Sequence, residues 1–345
     1  MAEDKAPFGY EECMLTVDIN DNDRQVTFAP LAKDEVRITD CSKDDGLVYA
    51  LAVAAAGRHH MLVYGQPGTG FNTTAKKITQ FLPNLSADEQ PGVNRIYHIA
   101  GLKKPDSKIV YRPFRMPHTT ASIEGMCGGG PKCMPGEVSL AHNGVLYLED
   151  AAEFRTSVLQ MLRVPLENGN ITLSRAGRST TYPANFQLVM STSPCPCGNY
   201  GSPDKVCLCS AQSIRQYWKK FSAPLLERIT IRYNCNEPVM PMFSGYDELR
   251  KRIREAVSKQ TFRQGKFNQN LTAEETAQYC KLTENARSYL DRATLRYGLT
   301  PGEISSILKL ARTVLDLKDG SWDEIGAPSM SMALSLFGKL PEAAK

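Results

Sequence analysis

Residues 60–82 read HMLVYGQPGTGFNTTAKKITQFL, and the pattern of this stretch decides the fold. The apolar run Met61–Tyr64 has the length of a buried strand, Gly65-Gln66-Pro67-Gly68-Thr69-Gly70 is a glycine-rich turn, and the spacing of residues 73–82 predicts a helix. Strand, glycine-rich loop and helix in that order make a nucleotide site. In the working motif, G-x-x-x-x-G-K-[ST], backbone amides cradle the phosphates, the Lys reaches the β- and γ-phosphates, and the hydroxyl holds Mg²⁺. Gly65 and Gly70 are in place, with Pro67, Gly68 and Thr69 between them, but Phe71 stands at the Lys position and Asn72 at the Ser/Thr position, followed by Thr73. The cradle is kept while its cation and its Mg²⁺ hydroxyl are gone, so ATP or ADP is expected to bind weakly or not at all.

A chain of 345 residues has room for about two domains with cores of their own. Lys+Arg 41 against Asp+Glu 37 gives a net charge of +4, which neither demands nor excludes nucleic acid. The acidic N-terminus, MAEDKAPFGYEEC, has no apolar signal, and the apolar run 47–56 is shorter than the roughly 20 residues a membrane helix needs. The expectation is a soluble cytoplasmic protein with no membrane partner. Ten Cys in a reducing compartment do not form a disulfide framework.

Residues 1–40 carry two short strand patterns, 14–19 and 25–28, separated by Asn20-Asp21-Asn22-Asp23. A helix over 47–56 leads through His59 and His60, expected to be turn residues and not ligands, into the strand. Between 83 and 136 the chain is punctuated by Pro and Gly, as loops facing a partner or substrate are. Gly144-Val145-Leu146-Tyr147-Leu148-Glu149-Asp150 is an apolar strand ending in two carboxylates, the construction of a Walker B strand: one acid to hold Mg²⁺, one to polarise water. A helix is expected over 155–166, a hairpin from Asn170–Arg175 and 179–182, a buried strand over 186–192, a helix over 215–226 and a strand over 229–233. Strands alternating with helices predict an α/β fold, a parallel sheet with helices on both faces. Pro238, Pro241, Ser244 and Gly245 mark a linker, and five helical patterns follow: 247–260, 272–279, 283–297, 301–317 and 328–337.

RPFRMPH at 112–118, PGEVSLAHNGVLYLED at 135–150, LENGNITLSRAGRSTTYPANFQLV at 166–189, SPCPCG at 193–198, PLLERI at 224–229 and ILKLARTVLDL at 307–317 occur in family order. With these motifs the chain resembles the AAA+ core of the magnesium chelatase subunit I and ComM group. The resemblance implies a P-loop NTPase AAA+ core over 41–237, with a Cys-rich loop at 193–210. It also implies a small helical lid domain over 246–345 and assembly into a ring. Against that pattern the Walker B Asp-Glu is inverted to Glu149-Asp150, the sensor-1 Asn is Ser193, and the sensor-2 Arg falls nearest to Gly302. Arg228 matches the arginine finger, which acts in trans on a neighbouring subunit's γ-phosphate. An arginine finger is worth about 10³–10⁵ in rate, and a misplacement of about 1 Å about 10²-fold, so the combined losses leave little hydrolysis. Lys76 and Lys77 lie more than a turn from the amide-lined end of the expected helix and are discounted as substitute cations.

Cys195, Cys197, Cys207 and Cys209 form two C-x-C pairs, a candidate tetrahedral zinc site, with four reduced thiols as the plainer reading. Cys13, Cys41, Cys127, Cys133, Cys235 and Cys280 are expected to be ordinary thiols. Arg175 and Arg178 flank a Gly turn that either meets nucleic-acid phosphates or a partner, or is simply solvated. The expectation is a non-hydrolysing assembly or regulatory subunit of a homo- or hetero-oligomeric ring, built with an active family member, in which Arg228 completes a neighbour's site. Its rivals are an ATP-driven motor on DNA or on a chelatase partner, and a zinc-stabilised nucleic-acid-binding module. For Arg228 the rival is a structural ion pair at a helix end.

Overall fold

The computed structural model describes residues 44–345 apart from 104–106, 176, 238–242, 244, 319–322, 339 and 342–345. The strand patterns at 14–19 and 25–28, Cys13, Cys41, and Pro238, Pro241 and Ser244 of the linker lie outside the described residues. The core is a five-stranded sheet built from β1 (Met61–Tyr64), β2 (Phe114–Arg115), β3 (Val145–Leu148), β6 (Gln187–Thr192) and β7 (Ile231–Asn234). An antiparallel hairpin, β4 (Asn170–Arg175) and β5 (Arg178–Pro183), stands apart from it. The order is β2-β3-β6-β1-β7, and every neighbouring pair is parallel.

The strands are apolar without alternation because both faces are covered. Met61, Val63, Val145 and Tyr147 enter one apolar cluster, while Leu62, Tyr64, Leu146 and Leu148 enter the other. The first cluster runs through the helix Asp45–Gly57, buried from Gly46 onward, and continues into the C-terminal helices through Leu249, Ile253, Leu310 and Met330. Asp44 caps that helix, accepting from the Leu47 amide at 3.0 Å and from the Tyr233 hydroxyl at 2.7 Å. The five C-terminal helices, Tyr246–Gln264, Ala273–Tyr279, Glu284–Tyr297, Pro301–Asp316 and Ala327–Phe337, form the lid. Thr272 with Glu275 and Thr300 with Glu303 close capping boxes at two of their starts.

Four expectations change. The helix expected over 73–82 begins at Phe71, ends at Lys76 and gives way to a 3₁₀ turn, Lys77–Phe81; Thr73 and Thr74 are weak helix formers and Pro83 stops the run. The helix expected over 155–166 divides into Thr156–Met161 and Arg163–Asn168, because Pro165 has no amide to donate to the Met161 carbonyl. The helix expected over 215–226 likewise divides into Ala211–Trp218 and Ala223–Glu227, the second opening on Pro224. The punctuated stretch 83–136 is not all loop: Gln90–Ile99 is a helix with Pro91 in its first turn. His59 is fully buried in the core, between Gln269 Oε1 at 2.8 Å and Thr313 Oγ1 at 2.7 Å.

Candidate functional site

In a parallel sheet all strands end at one edge, and ligands collect there. β1 ends at Gly65, β3 at Glu149-Asp150 and β6 at Ser193, so the glycine-rich loop, the two carboxylates and the sensor-1 position share that edge. The Gly65 amide donates to the Thr192 carbonyl at 3.3 Å, stitching the loop to the strand beside it. Gly65 has no room for a side chain: a Cβ would lie 2.7 Å from that of Cys235. Pro67, Gly68, Thr69 and Gly70 are exposed, as a phosphate-binding loop must be.

Phe71 occupies the lysine position, yet its ring is only 6% exposed and belongs to the cluster of Met61, Ala75 and Ile78. It fills core space and offers the loop nothing. Asn72 Oδ1 is buried without a hydrogen-bond partner, and Thr73 is exposed. Lys76 Nζ lies 2.8 Å from Glu149 Oε1, with both side chains about a third exposed. The short helix thus brings Lys76 to the first acid, and distance along the chain alone made it look remote. Asp150 is exposed with φ +48, a left-handed conformation that Asp tolerates. A magnesium ion needs the P-loop hydroxyl and a free Walker B carboxylate. Here the hydroxyl is an amide and Glu149 is already neutralised by an ammonium, so the donor set does not fit Mg²⁺.

Arg228 sits at the opposite edge. It precedes β7 by three residues and lines a cleft of about 460 Å³ with Arg58, His60, Glu167, Gln269 and Lys309. His60 immediately precedes β1, whereas Gly65 follows it. Four residues of strand, about 13 Å, separate the two edges, so Arg228 does not reach its own glycine-rich loop. Its guanidinium pairs with Glu167 at 2.9 Å, while its Nε is buried without a hydrogen-bond partner. His60 accepts the Leu188 amide at Nδ1, 3.0 Å; burial, with the nearby His59, Arg58 and Arg228 charges, drives its pKa down to about 3.

The four cysteines of the loop between β6 and the helix Ala211–Trp218 converge, with all four sulfurs within 4.8 Å of one another. Cys195 Sγ lies 3.4 Å from Cys197 Sγ and 3.7 Å from Cys207 Sγ, and Cys197 lies 3.6 Å from Cys207. Four sulfurs about 2.3 Å from a tetrahedral zinc are about 3.8 Å apart, so the spacing fits. The Tyr200 amide donates to Cys195 Sγ at 3.4 Å, and a hydrogen bond from the Asn199 backbone, with further ones from neighbouring thiols, lowers the Cys197 pKa to about 6, whereas burial raises that of Cys207 to about 12 and that of Cys209 is raised too. The case for a cation here is the convergence of the four sulfurs. Burial also raises the Cys127 and Cys280 thiols to about 11, as expected of inert thiols, and Cys235 upward too.

Residues 38–240 match the family described as magnesium chelatase, subunit ChlI, and residues 245–336 match its C-terminal region. The chain belongs to the magnesium chelatase ChlI family. It is 35% identical over 312 residues to Competence protein ComM of Haemophilus influenzae, covering 88% of this chain and 60% of that protein. It is 36% identical over 276 residues to the uncharacterized protein YifB of Escherichia coli, covering 77% of this chain and 54% of the other. The Magnesium-chelatase 38 kDa subunit of Rhodobacter capsulatus is 27% identical over 168 residues, 44% of this chain and 48% of that subunit. The chain thus spans little more than half the length of the ComM and YifB relatives it matches.

In this ChlI-family fold the sheet order and the lid helices are those of an AAA+ P-loop core with a helical C-terminal region. No described helix is long and apolar enough to cross a membrane. Arg175 is exposed at the tip of the β4–β5 hairpin, opposite Arg178 in register and far along the hairpin from the Ile171–Tyr182 pair that anchors it in the core. Sequence reasoning weighed Lys76 and set it aside for its distance along the helix, whereas the fold brings it to Glu149.

Proposed function

We propose that this chain is a non-hydrolysing AAA+ subunit of a ring, contributing Arg228 to a neighbouring active site while its own site is inert. The observation that carries the reading is Phe71 turned into the core while Lys76 neutralises Glu149. Neither of the charges that phosphoryl transfer requires, a cation on the γ-phosphate and a metal on the carboxylate, is available in cis. The exposed loop at 67–70 still offers backbone amides, so a nucleotide binds weakly if at all. Ring assembly is what the family resemblance implies, and the opposite-edge position of Arg228 supports action on the next subunit. Cys195, Cys197, Cys207 and Cys209 hold a structural zinc.

The test is to mix the purified chain with an active family member from the same cell. Alone, the chain turns over no ATP above background; mixed, it stimulates hydrolysis, and Arg228→Ala abolishes the stimulation. Steady turnover by the chain alone would return it to the motors. Stimulation indifferent to Arg228 would leave that residue a structural partner of Glu167.

A further inference from the structure

The cysteine loop and the glycine-rich loop approach each other at Gly198 and Pro67. Gly198, the residue after Cys197, is buried, and a Cβ on it would lie 2.7 Å from Pro67 Cγ and Cδ and 3.9 Å from Ser193 Oγ. Its φ of +78 and this close approach both call for glycine. The turn presenting Gly198 is closed on a ligand residue: the Gly198 amide donates to the Cys195 carbonyl at 3.0 Å, and the Tyr200 amide donates to Cys195 Sγ at 3.4 Å. Asn236, just past β7, donates to the Gly201 carbonyl at 3.3 Å.

The cysteine loop is tied down at its start, where Cys195 is buried and Pro194 accepts from Trp218 Nε1 at 2.9 Å, but its outer part buries little apolar surface. Val206 and Leu208 are 79% and 89% exposed, and Pro196, Pro203, Asp204 and Lys205 are exposed too. A segment with so little buried apolar surface does not offset its own ordering entropy, whereas a tetrathiolate metal supplies folding free energy directly. On the other side of the contact, Gly68 and Gly70 have φ of +86 and +84, and a Cβ on either would meet nothing within 4 Å. The glycine-rich loop is held at its two ends, by Gly65 to Thr192 and by Thr74 to Gly70, and between them Pro67 lies against Gly198.

We propose that zinc bound by Cys195, Cys197, Cys207 and Cys209 is a clamp on the phosphate loop: by fixing the turn at Gly198 it holds Pro67 and sets the conformation of residues 65–70. This rests on the zinc reading above. Loss of the metal, by chelation or by oxidation of the thiols to disulfides with a two-electron oxidant such as a peroxide, frees the phosphate loop while the sheet beneath it stays folded.

The experiment is hydrogen exchange on the full chain, zinc-loaded and chelator-treated, with zinc stoichiometry measured on the same samples. The reporters are the Gly65 and Thr74 amides, which bond to the Thr192 and Gly70 carbonyls and bracket the loop; the lid helix Pro301–Asp316 is the control. Zinc removal is expected to speed exchange at the reporters at least tenfold and leave the lid helix unchanged. Gly198→Leu is expected to keep one zinc per chain and still loosen the reporters. A chain purified without chelator that carries well under one zinc overturns the zinc reading. A full complement of zinc whose removal leaves the reporters unchanged, or loosens the lid equally, overturns the clamp and leaves the zinc reading standing.

Discussion

Lys76 Nζ is 2.8 Å from Glu149 Oε1, so the first carboxylate of the Walker B pair is met by a side chain of its own chain where a metal ion is otherwise held. The pair is about a third exposed on each side and is worth under about 1 kcal/mol to folding. Its consequence is chemical. With the P-loop hydroxyl restored by Asn72→Ser, adding Lys76→Gln is expected to leave stability nearly unchanged and to free Glu149 beside Asp150, so that calorimetry finds tighter Mg²⁺ binding than in Asn72→Ser alone. Equal Mg²⁺ affinity in both proteins would mean that the ammonium does not compete for the site.

Phe71 is a core residue at a catalytic address. Phe71→Ala is expected to cost about 3 kcal/mol in a denaturant titration, the range for truncating a buried aromatic, and to leave ATP turnover at background. A loss below about 1 kcal/mol would contradict its placement in the core.

His59 and His60 are kept neutral in the fold, chiefly by burial, with pKa values driven down to about 4 and about 3. Their unfolded counterparts take up protons below about 6.5 while the native ones do not. Stability is therefore intact above that pH, falls as pH drops from about 6.5 towards 4, and flattens once the native imidazoles protonate as well. The His59 contribution is on the order of 3 kcal/mol at most. Denaturant titrations at pH 7, 5.5 and 4.5 on the parent and on His59→Gln check this; parallel pH curves for the two proteins would remove His59 as the cause.

The hairpin arginines are expected to act on something outside the chain. Arg175→Glu combined with Arg178→Glu should change stability by less than about 0.5 kcal/mol, since Arg175 is exposed at the hairpin tip. It should also weaken retention of DNA or of the ring partner at low salt. If both associations are untouched, the tip is a solvated turn.

Much of the architecture was written in local pattern. Met61–Tyr64, Val145–Leu148 and Gln187–Thr192 are continuous apolar runs because both faces of a parallel sheet are covered, and burial on both faces leaves that mark in one dimension. The glycine turn, the acid pair and the lid helices declare themselves the same way, through residue type and period. Helix ends were less legible, since Pro165 and Pro224 break runs whose apolar spacing continues past them.

By itself, the sequence determined the fold family, the loss of the P-loop lysine at Phe71, and the cysteine pairs as a unit. The tertiary structure alone decided that Phe71 turns inward, that Lys76 meets Glu149, that Arg228 lies an entire strand away from its own loop, and that Gly198 bears on Pro67. The two contacts among them join residues from different strand ends or loops, 73 residues apart for Lys76 and Glu149 and 131 for Pro67 and Gly198. Residue type and spacing report which face of an element is apolar. Which side chains meet across elements is set by strand order and register, and those exist only once the sheet has formed.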